Sequence, residues 1–141
     1  MEYRRFSDTI IARLDAGEEV IASLEALCEK ENITLGWVSG IGAVNEAEVG
    51  CFDTDEKKYY AKTYTGIYEI ASLSGTVSVQ NAKPYLHIHA VLGDKEGTAI
   101  GGHLSRAMVS ATCEIALRVL DGKAGRAFSS ETGLNLITFQ D

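Results

Sequence analysis

The chain has 141 residues, of which 45% are hydrophobic and 23% are charged, and it contains one proline. This length and composition are typical of one globular domain, which we expect to span residues 1–141, and they argue against a disordered chain. Because 13 Lys and Arg residues stand against 20 Asp and Glu residues, the net charge is -7, which disfavours a general attraction to nucleic-acid phosphates.

The sequence indicates neither a membrane protein nor a secreted one. It has no apolar run of about 18 residues, and the basic residues Arg4 and Arg5 are not followed by the apolar segment of a signal peptide. The three cysteines, Cys28, Cys51 and Cys113, are widely spaced and include no C-x-x-C pair, so neither a disulfide framework nor a zinc knuckle is indicated. We therefore expect a cytoplasmic protein with three free thiols and no membrane partner.

The N-terminal part of the chain predicts a strand followed by a helix. Residues 8–14 have the apolar content of a strand, and residues 15–17 form a turn. Glu18 and Glu19 then lie in the first turn of the helix, where they favour the positive end of its dipole, and Asn32 is expected to cap its C-terminus. Helical spacing produces one apolar stripe, made of Val20, Ile21, Leu24, Leu27 and Cys28.

The rest of the chain predicts strands joined by short turns, with one short helical turn at residues 104–111. Residues 46–52 are expected to pair as a hairpin with the preceding strand, and the tyrosines at 59, 60, 64 and 68 are expected on the sheet surface or in an interface. Many strands, one clear helix and short connections are typical of an α+β (α/β) domain with a mainly antiparallel sheet. The predicted strands are residues 33–44, 46–52, 59–80, 85–92, 98–100, 112–120 and 134–138.

All three histidines of the chain lie close together in the sequence. His87 and His89 are two residues apart in a predicted strand, so their imidazoles point to the same face. The loop at residues 93–97 turns the chain back beside this strand, and His103 follows two glycines that let the backbones approach closely. Three neutral imidazoles on one patch suit zinc or another borderline transition metal, and they leave a fourth position open for water or a substrate.

The same histidines have a second interpretation, in which they bond to backbone carbonyls or to a neighbour such as Glu69. Glu69 lies among apolar residues of a predicted strand and needs a partner if it is buried, because a lone buried charge is costly. It is a candidate for a hydrogen bond to a ligating imidazole, or for a general base with a raised pKa. The alternative is an edge-strand carboxylate in solvent.

Several short blocks, spread over nearly the whole chain, occur together in a known family. Residues 66–75 read GIYEIASLSG, residues 87–94 read HIHAVLGD and residues 101–104 read GGHL. The first block resembles the G-R-F-E-I-L-S-L-S-G segment of the plants-and-prokaryotes-conserved (PPC) domain, and the next two match the blocks that follow it. The earlier segments VSGIG at 38–42 and LDAGE at 14–18 also fit this family.

The resemblance implies an α/β fold with a central, mostly antiparallel sheet and flanking helices, assembled as a homotrimer. It also implies the DNA-binding description that members often carry. In plant members the domain accompanies a separate AT-hook, R-G-R-P, which is missing from this sequence. The set His87, His89 and His103 is similar to that of prokaryotic stand-alone members, some of which bind a metal there, and we carry these three residues over as ligands.

Three functional hypotheses follow. The first is a small metal-binding homotrimer, with zinc or a similar divalent ion on the histidines and an open position for a small ligand or for water activation. In it, Glu69 acts beside the ligands or as a base, and a neighbouring subunit could supply Glu69 or Arg5. The second, a DNA-binding or transcription-regulatory protein, rests on the resemblance alone. The third is a structural trimer with histidines stacked at the subunit contact. Whether the protein is an enzyme stays open.

Overall fold

Strands make up most of the structure. In a computed structural model of the protein, which describes residues 1–139, there are eight strands and one helix. The helix, α1, spans 11 residues, and within the described residues no helix has the length and apolar character needed to cross a membrane. In chain order the elements are β1 (Glu2–Phe6), β2 (Thr9–Asp15), α1 (Val20–Lys30), β3 (Gly36–Asp53), β4 (Lys58–Gln80), β5 (Lys83–Asp94), β6 (Ala99–Val119), β7 (Gly125–Ser129) and β8 (Leu134–Thr138).

The strands form one mixed, mainly antiparallel sheet that closes on itself. Its order is β1-β2-β6-β3-β4-β7-β8, and β5 pairs with both β4 and β6. The pairs β3–β4, β4–β5, β5–β6 and β6–β3 therefore join four strands into a ring, as in a small barrel. All pairings are antiparallel except the one between Val79 of β4 and Gly125 of β7.

Long, bent strands make this ring possible. Strand β6 pairs with β3 over most of its length, from Gly50 opposite His103 to Gly36 opposite Val119. The register shifts between Gly42 and Val44, and such bulges bend a strand and increase its twist. One end of β6 can therefore pair with β5 while its other end pairs with β2.

The core lies between the inner face of the bent sheet and α1. Along β2, Ile10, Ala12 and Leu14 are buried while the residues between them are exposed, which is the alternation of a half-buried strand. The helix buries its predicted stripe, including Leu24 and Cys28. Burial, helped by the nearby charge of a glutamate, raises the pKa of the Cys28 thiol to about 12.

Some predicted elements are confirmed and others are wrong. The mainly antiparallel sheet is confirmed, but residues 1–139 contain one helix rather than several flanking helices. Residues 104–111 are not a helical turn but the middle of β6, because pairing with β3 continues through them. Residues 46–52 continue β3 and form its hairpin with β4. Glu31 is the C-cap of α1, and Asn32 follows it in the left-handed conformation, with φ of 52°.

Glu19 precedes α1 and caps it, instead of lying in its first turn. Its carboxylate accepts hydrogen bonds from the backbone N–H groups of Ile21 (3.1 Å) and Ala22 (2.6 Å). The same carboxylate accepts a third bond from the N–H of Ala107 in β6, at 2.8 Å. One side chain therefore satisfies the helix N-terminus and ties the helix to the sheet.

We expect Glu19→Ala to lower the free energy of unfolding by about 1–3 kcal/mol, because it leaves partly buried backbone N–H groups without an acceptor. Urea denaturation of the wild type and the variant would measure this loss. Glu19→Gln keeps an acceptor oxygen and should lose less free energy of unfolding. Glu25→Ala, on the exposed side of α1, should change the free energy of unfolding little. Equal losses in the Glu19 and Glu25 alanine variants would contradict this role of the cap.

Candidate metal centre

The β5–β6 hairpin brings the three histidines together on the outer face of the sheet. His89 of β5 lies directly opposite His103 of β6, and His87 lies two residues earlier on the same face. One potential ligand atom from each ring lies within 4.8 Å of those from the other two. The ring centroids are 5.1 Å apart for His87 and His89, 5.4 Å for His87 and His103, and 5.7 Å for His89 and His103.

The turn at residues 94–98 sets the register of this hairpin. The N–H of Asp94 donates to the carbonyl of Thr98 at 3.0 Å, and the Asp94 carboxylate accepts from the N–H groups of Glu96 and Thr98. Pairing then runs from Gly93 opposite Ala99 to His89 opposite His103. Because side chains alternate between the two faces, a shift of one residue would turn one partner inward.

Two glycines allow the neighbouring strands to approach the histidines. A Cβ on Gly75 of β4 would collide with the carbonyl oxygen of His87 and lie 2.8 Å from the Cα of Ile88. A Cβ on Gly102 would collide with the carbonyl oxygen of Gly50 in β3. Larger residues at either position would push the histidine-bearing strands away from the sheet.

Tyr59 supports His103 from the side away from the other two rings. Its hydroxyl lies 3.3 Å from the carbonyl oxygen of His103, to which it donates, and 3.0 Å from Oγ of Ser105. Its ring meets the His103 imidazole edge to face, with centroids 5.8 Å apart. Gly50, the β3 partner of His103, has no side chain, and the Tyr59 ring occupies the space beside it.

The surroundings of the site favour neutral imidazoles. Partial burial, together with the charges of His89 and Arg126, lowers the pKa of His87. Burial and the charges of the other two histidines lower the pKa of His103. Within residues 1–139, the nearby side-chain hydrogen bonds involve Tyr59, Ser78 and Arg126, and none is made to an imidazole. Neutral rings with free nitrogens are the form that binds a metal.

The donor set fits a borderline divalent ion. Zinc binds imidazole nitrogen at about 2.0–2.1 Å, which places the nitrogens of a tetrahedral site about 3.4 Å apart. The separations of up to 4.8 Å therefore need small rotations of the rings, and His87 and His89 are exposed enough to make them. Three nitrogens leave at least one coordination position open.

Comparisons with known proteins agree with this fold. Residues 1–121 match the family model described as "Plants and Prokaryotes Conserved (PCC) domain". The chain belongs to the PPC domain family. A comparison with curated proteins gives no match.

Several solved structures resemble the chain over almost its whole length. A protein of Archaeoglobus fulgidus described as metal-containing is 37% identical, with a TM-score of 0.89 and coverage of 98% of this chain and 97% of that one. A protein of Bacteroides thetaiotaomicron described as a "putative dna binding protein" is 29% identical, with a TM-score of 0.95 and coverage of 98% and 96%. A plant- and prokaryote-conserved (PPC) protein of Pyrococcus horikoshii is 30% identical, with a TM-score of 0.86 and coverage of 99% and 95%.

Glu69 lies on β4 of the PPC domain, away from the three histidines of its own chain. It pairs with Gly93 of β5, whereas the β4 residue that pairs with His89 is Ser74, five residues further on. At a rise of about 3.3 Å per residue, this separation is on the order of 15 Å along the strand. The Glu69 side chain is exposed and borders a shallow groove together with Ile41, Ala71, Thr112 and Glu114. A role for Glu69 at the metal stays a prediction, and it requires a second subunit.

Arg126 is a residue of the site that sequence reasoning missed. It lies on β7, just beyond the residues that the PPC family model matches. Its Nη2 donates to Oγ1 of Thr76 at 3.3 Å, and Thr76 is the β4 partner of His87. Nothing in the sequence near Arg126 points to the histidines, because only the pairing of β7 with the end of β4 brings them together.

The lowered pKa values predict how stability depends on pH. The metal-free protein should lose free energy of unfolding as the pH falls from about 7.5 to about 5.5. Below the ordinary imidazole pKa of about 6.5 the unfolded chain binds more protons at His87 and His103 than the folded chain, so stability rises with pH across this window.

Urea denaturation at both pH values would test this dependence. The double variant His87→Gln, His103→Gln, which lacks both groups, should show a smaller loss. Equal losses in the wild type and the double variant would contradict the lowered pKa values.

Proposed function

We propose that this PPC-domain protein is a small metal-binding homotrimer. His87, His89 and His103 would hold a divalent transition metal, zinc in the first instance, and the open coordination position would bind a small ligand or activate water. The observation that carries the proposal is the convergence of three imidazoles, each without a hydrogen bond in residues 1–139, to within 4.8 Å at their ligand atoms.

The chemistry of the residues supports a resident metal more than a stack of histidines. Imidazole nitrogen is a ligand for zinc, copper, nickel and iron, and the lowered pKa values of His87 and His103 keep these rings ready to bind at neutral pH. The similar protein of Archaeoglobus fulgidus is described as metal-containing.

A metal at such a site supplies a Lewis acid that polarises a ligand oxygen or lowers the pKa of bound water. The chain's own residues would hold the three histidines in position around the metal. The β5 backbone fixes His87 and His89 on one face, and Tyr59 holds the strand carrying His103 through the carbonyl oxygen of that residue. Arg126 adds a fixed positive charge beside His87.

Metal content tests the proposal directly. Purified wild-type protein, reloaded with zinc and dialysed, should contain about one ion per chain, and His87→Ala and His103→Ala should each lose most of it. Lys95→Ala is the control, because Lys95 lies in the same hairpin with a side chain 74% exposed. Elemental analysis would measure all four proteins. A wild type that takes up no zinc, cobalt, nickel or manganese would contradict the proposal and direct attention to DNA binding.

DNA binding is the second candidate, favoured by the description of the Bacteroides protein. The charges of this chain give it little support. Several arginines on the surface are already paired with carboxylates, so they offer little free charge to a phosphate backbone. These pairs are Arg5 with Glu31, Arg13 with Glu2 and Asp15, Arg106 with Glu46, and Arg118 with Asp8.

The homotrimer is supported by apolar side chains on the face of the sheet that carries the site. Trp37 is 51% exposed and Ile11 is 46% exposed, although both are large and apolar. Trp37 and His87 both pair with Thr76, so they lie in one row on the outer face. Exposed apolar groups of this kind are typical of surfaces that bind another chain.

We expect a particle of three times 15.2 kDa in solution, and Trp37→Glu should reduce it to the monomer, because the new charge would be buried in the contact. Sedimentation equilibrium would measure both masses. Thr63→Glu, which adds the same charge to an exposed position of β4, should leave the assembly intact. A wild type that sediments as a monomer would contradict the trimer.

A further inference from the structure

Arg126 carries a partly buried charge that no carboxylate balances within residues 1–139. Its Nε donates to Oγ of Ser78 at 2.9 Å, its Nη1 to the carbonyl of Asn135 at 3.2 Å and its Nη2 to Oγ1 of Thr76 at 3.3 Å. All three acceptors are neutral. A guanidinium has five N–H groups, so two of them have no acceptor in the part of the chain described.

The guanidinium lies next to the metal centre. Its central carbon is 4.7 Å from the centroid of the Tyr85 ring, and Tyr85 lies two residues before His87 on the same face of β5. Two residues of a strand span about 7 Å. The guanidinium also donates to Oγ1 of Thr76, and Thr76 is the β4 residue that pairs with His87.

A fixed cation beside a bound metal cation is unfavourable unless an anion lies between them. Other arginines of the chain, such as Arg5 and Arg106, are already paired with carboxylates. Arg126 instead presents unused donors at the edge of a site with an open coordination position. An anionic ligand would satisfy these donors and the metal together.

We propose that the site takes a short organic carboxylate and that Arg126 binds its carboxylate group. The carboxylate oxygens would accept from the free N–H groups of Arg126, while a neighbouring hydroxyl or keto oxygen of the same ligand would occupy the open position. This proposal rests on the proposed metal-binding function and adds the class of ligand. A carboxylate is favoured because its two planar oxygens match the arginine fork. Arg126 lies outside the residues matched by the family model, so the family match does not assign this role.

Cobalt-loaded protein offers a direct test, because its visible spectrum reports a change in the coordination shell. The probe is glycolate, and glycolamide is the matched neutral control that keeps the hydroxyl. We expect the wild type to bind glycolate at least about tenfold more tightly than glycolamide. In Arg126→Gln the affinity for glycolate should fall to that for glycolamide, and the affinity for glycolamide should stay within about twofold.

Two further variants separate recognition from a structural role. Arg126→Lys keeps the charge but not the fork, so it should bind glycolate with intermediate affinity. Arg118→Gln removes an exposed arginine that pairs with Asp8 and should bind glycolate like the wild type. Cobalt content is measured in every protein. If Arg126→Gln lost affinity for glycolate and glycolamide equally, or lost cobalt, Arg126 would be a structural residue and the proposal would be overturned.

The remaining outcomes are also decisive. Cobalt-loaded wild type that responds to none of glycolate, lactate, pyruvate and oxalate would overturn the carboxylate ligand and leave the metal site standing. Inorganic phosphate that binds more tightly than every carboxylate, and depends on Arg126, would overturn the carboxylate in favour of a phosphate. A wild type that binds no cobalt or zinc would overturn the proposed function itself.

Discussion

The pairing of β5 with β6 is the constraint on which the site depends. It places His89 opposite His103, and the two-residue period of the strand brings His87 to the same face. The register cannot slip by one residue without sending imidazoles into the core and apolar side chains such as Ile88 and Ala90, which are now buried, to the surface. The apolar core therefore stabilises the arrangement of the three histidines, although none of them belongs to the core.

Closure of the sheet explains how a small domain can fix the backbone that carries the exposed histidines. Strands β3 to β6 each pair with two neighbours in the ring, so His89 and His103 lie where their strands are paired on both sides. At His87, β5 pairs with β4 through Thr76. The close approaches at Gly75 and Gly102 bring the flanking strands against the histidine-bearing backbones. The outer face can carry the polar histidines, because the inner face and α1 already enclose the apolar core.

The charge beside the histidines is opposite in sign to the net charge of the whole chain. The protein has a net charge of -7, yet the charged groups that lower the pKa values of His87 and His103 are the neighbouring histidines and Arg126. Burial lowers the pKa of His87, with Arg126 adding to the effect, and the charge of Arg126 favours an anion beside a bound cation. Several arginines elsewhere on the surface are paired with acids, which leaves them little free charge for a phosphate backbone.

The sequence alone determined the sheet-rich class, the amphipathic helix and the joint placement of His87, His89 and His103, because these follow from short-range periodicity and from one tight hairpin. Such patterns involve only residues that are close together in the sequence. The tertiary structure decided that residues 104–111 continue a strand, that Glu19 bonds to Ala107, and that Glu69 lies away from the histidines of its own chain. It also decided that Arg126 contacts Thr76, the β4 partner of His87. These outcomes depend on which distant strands pair and where bulges shift the register, which local sequence patterns do not encode.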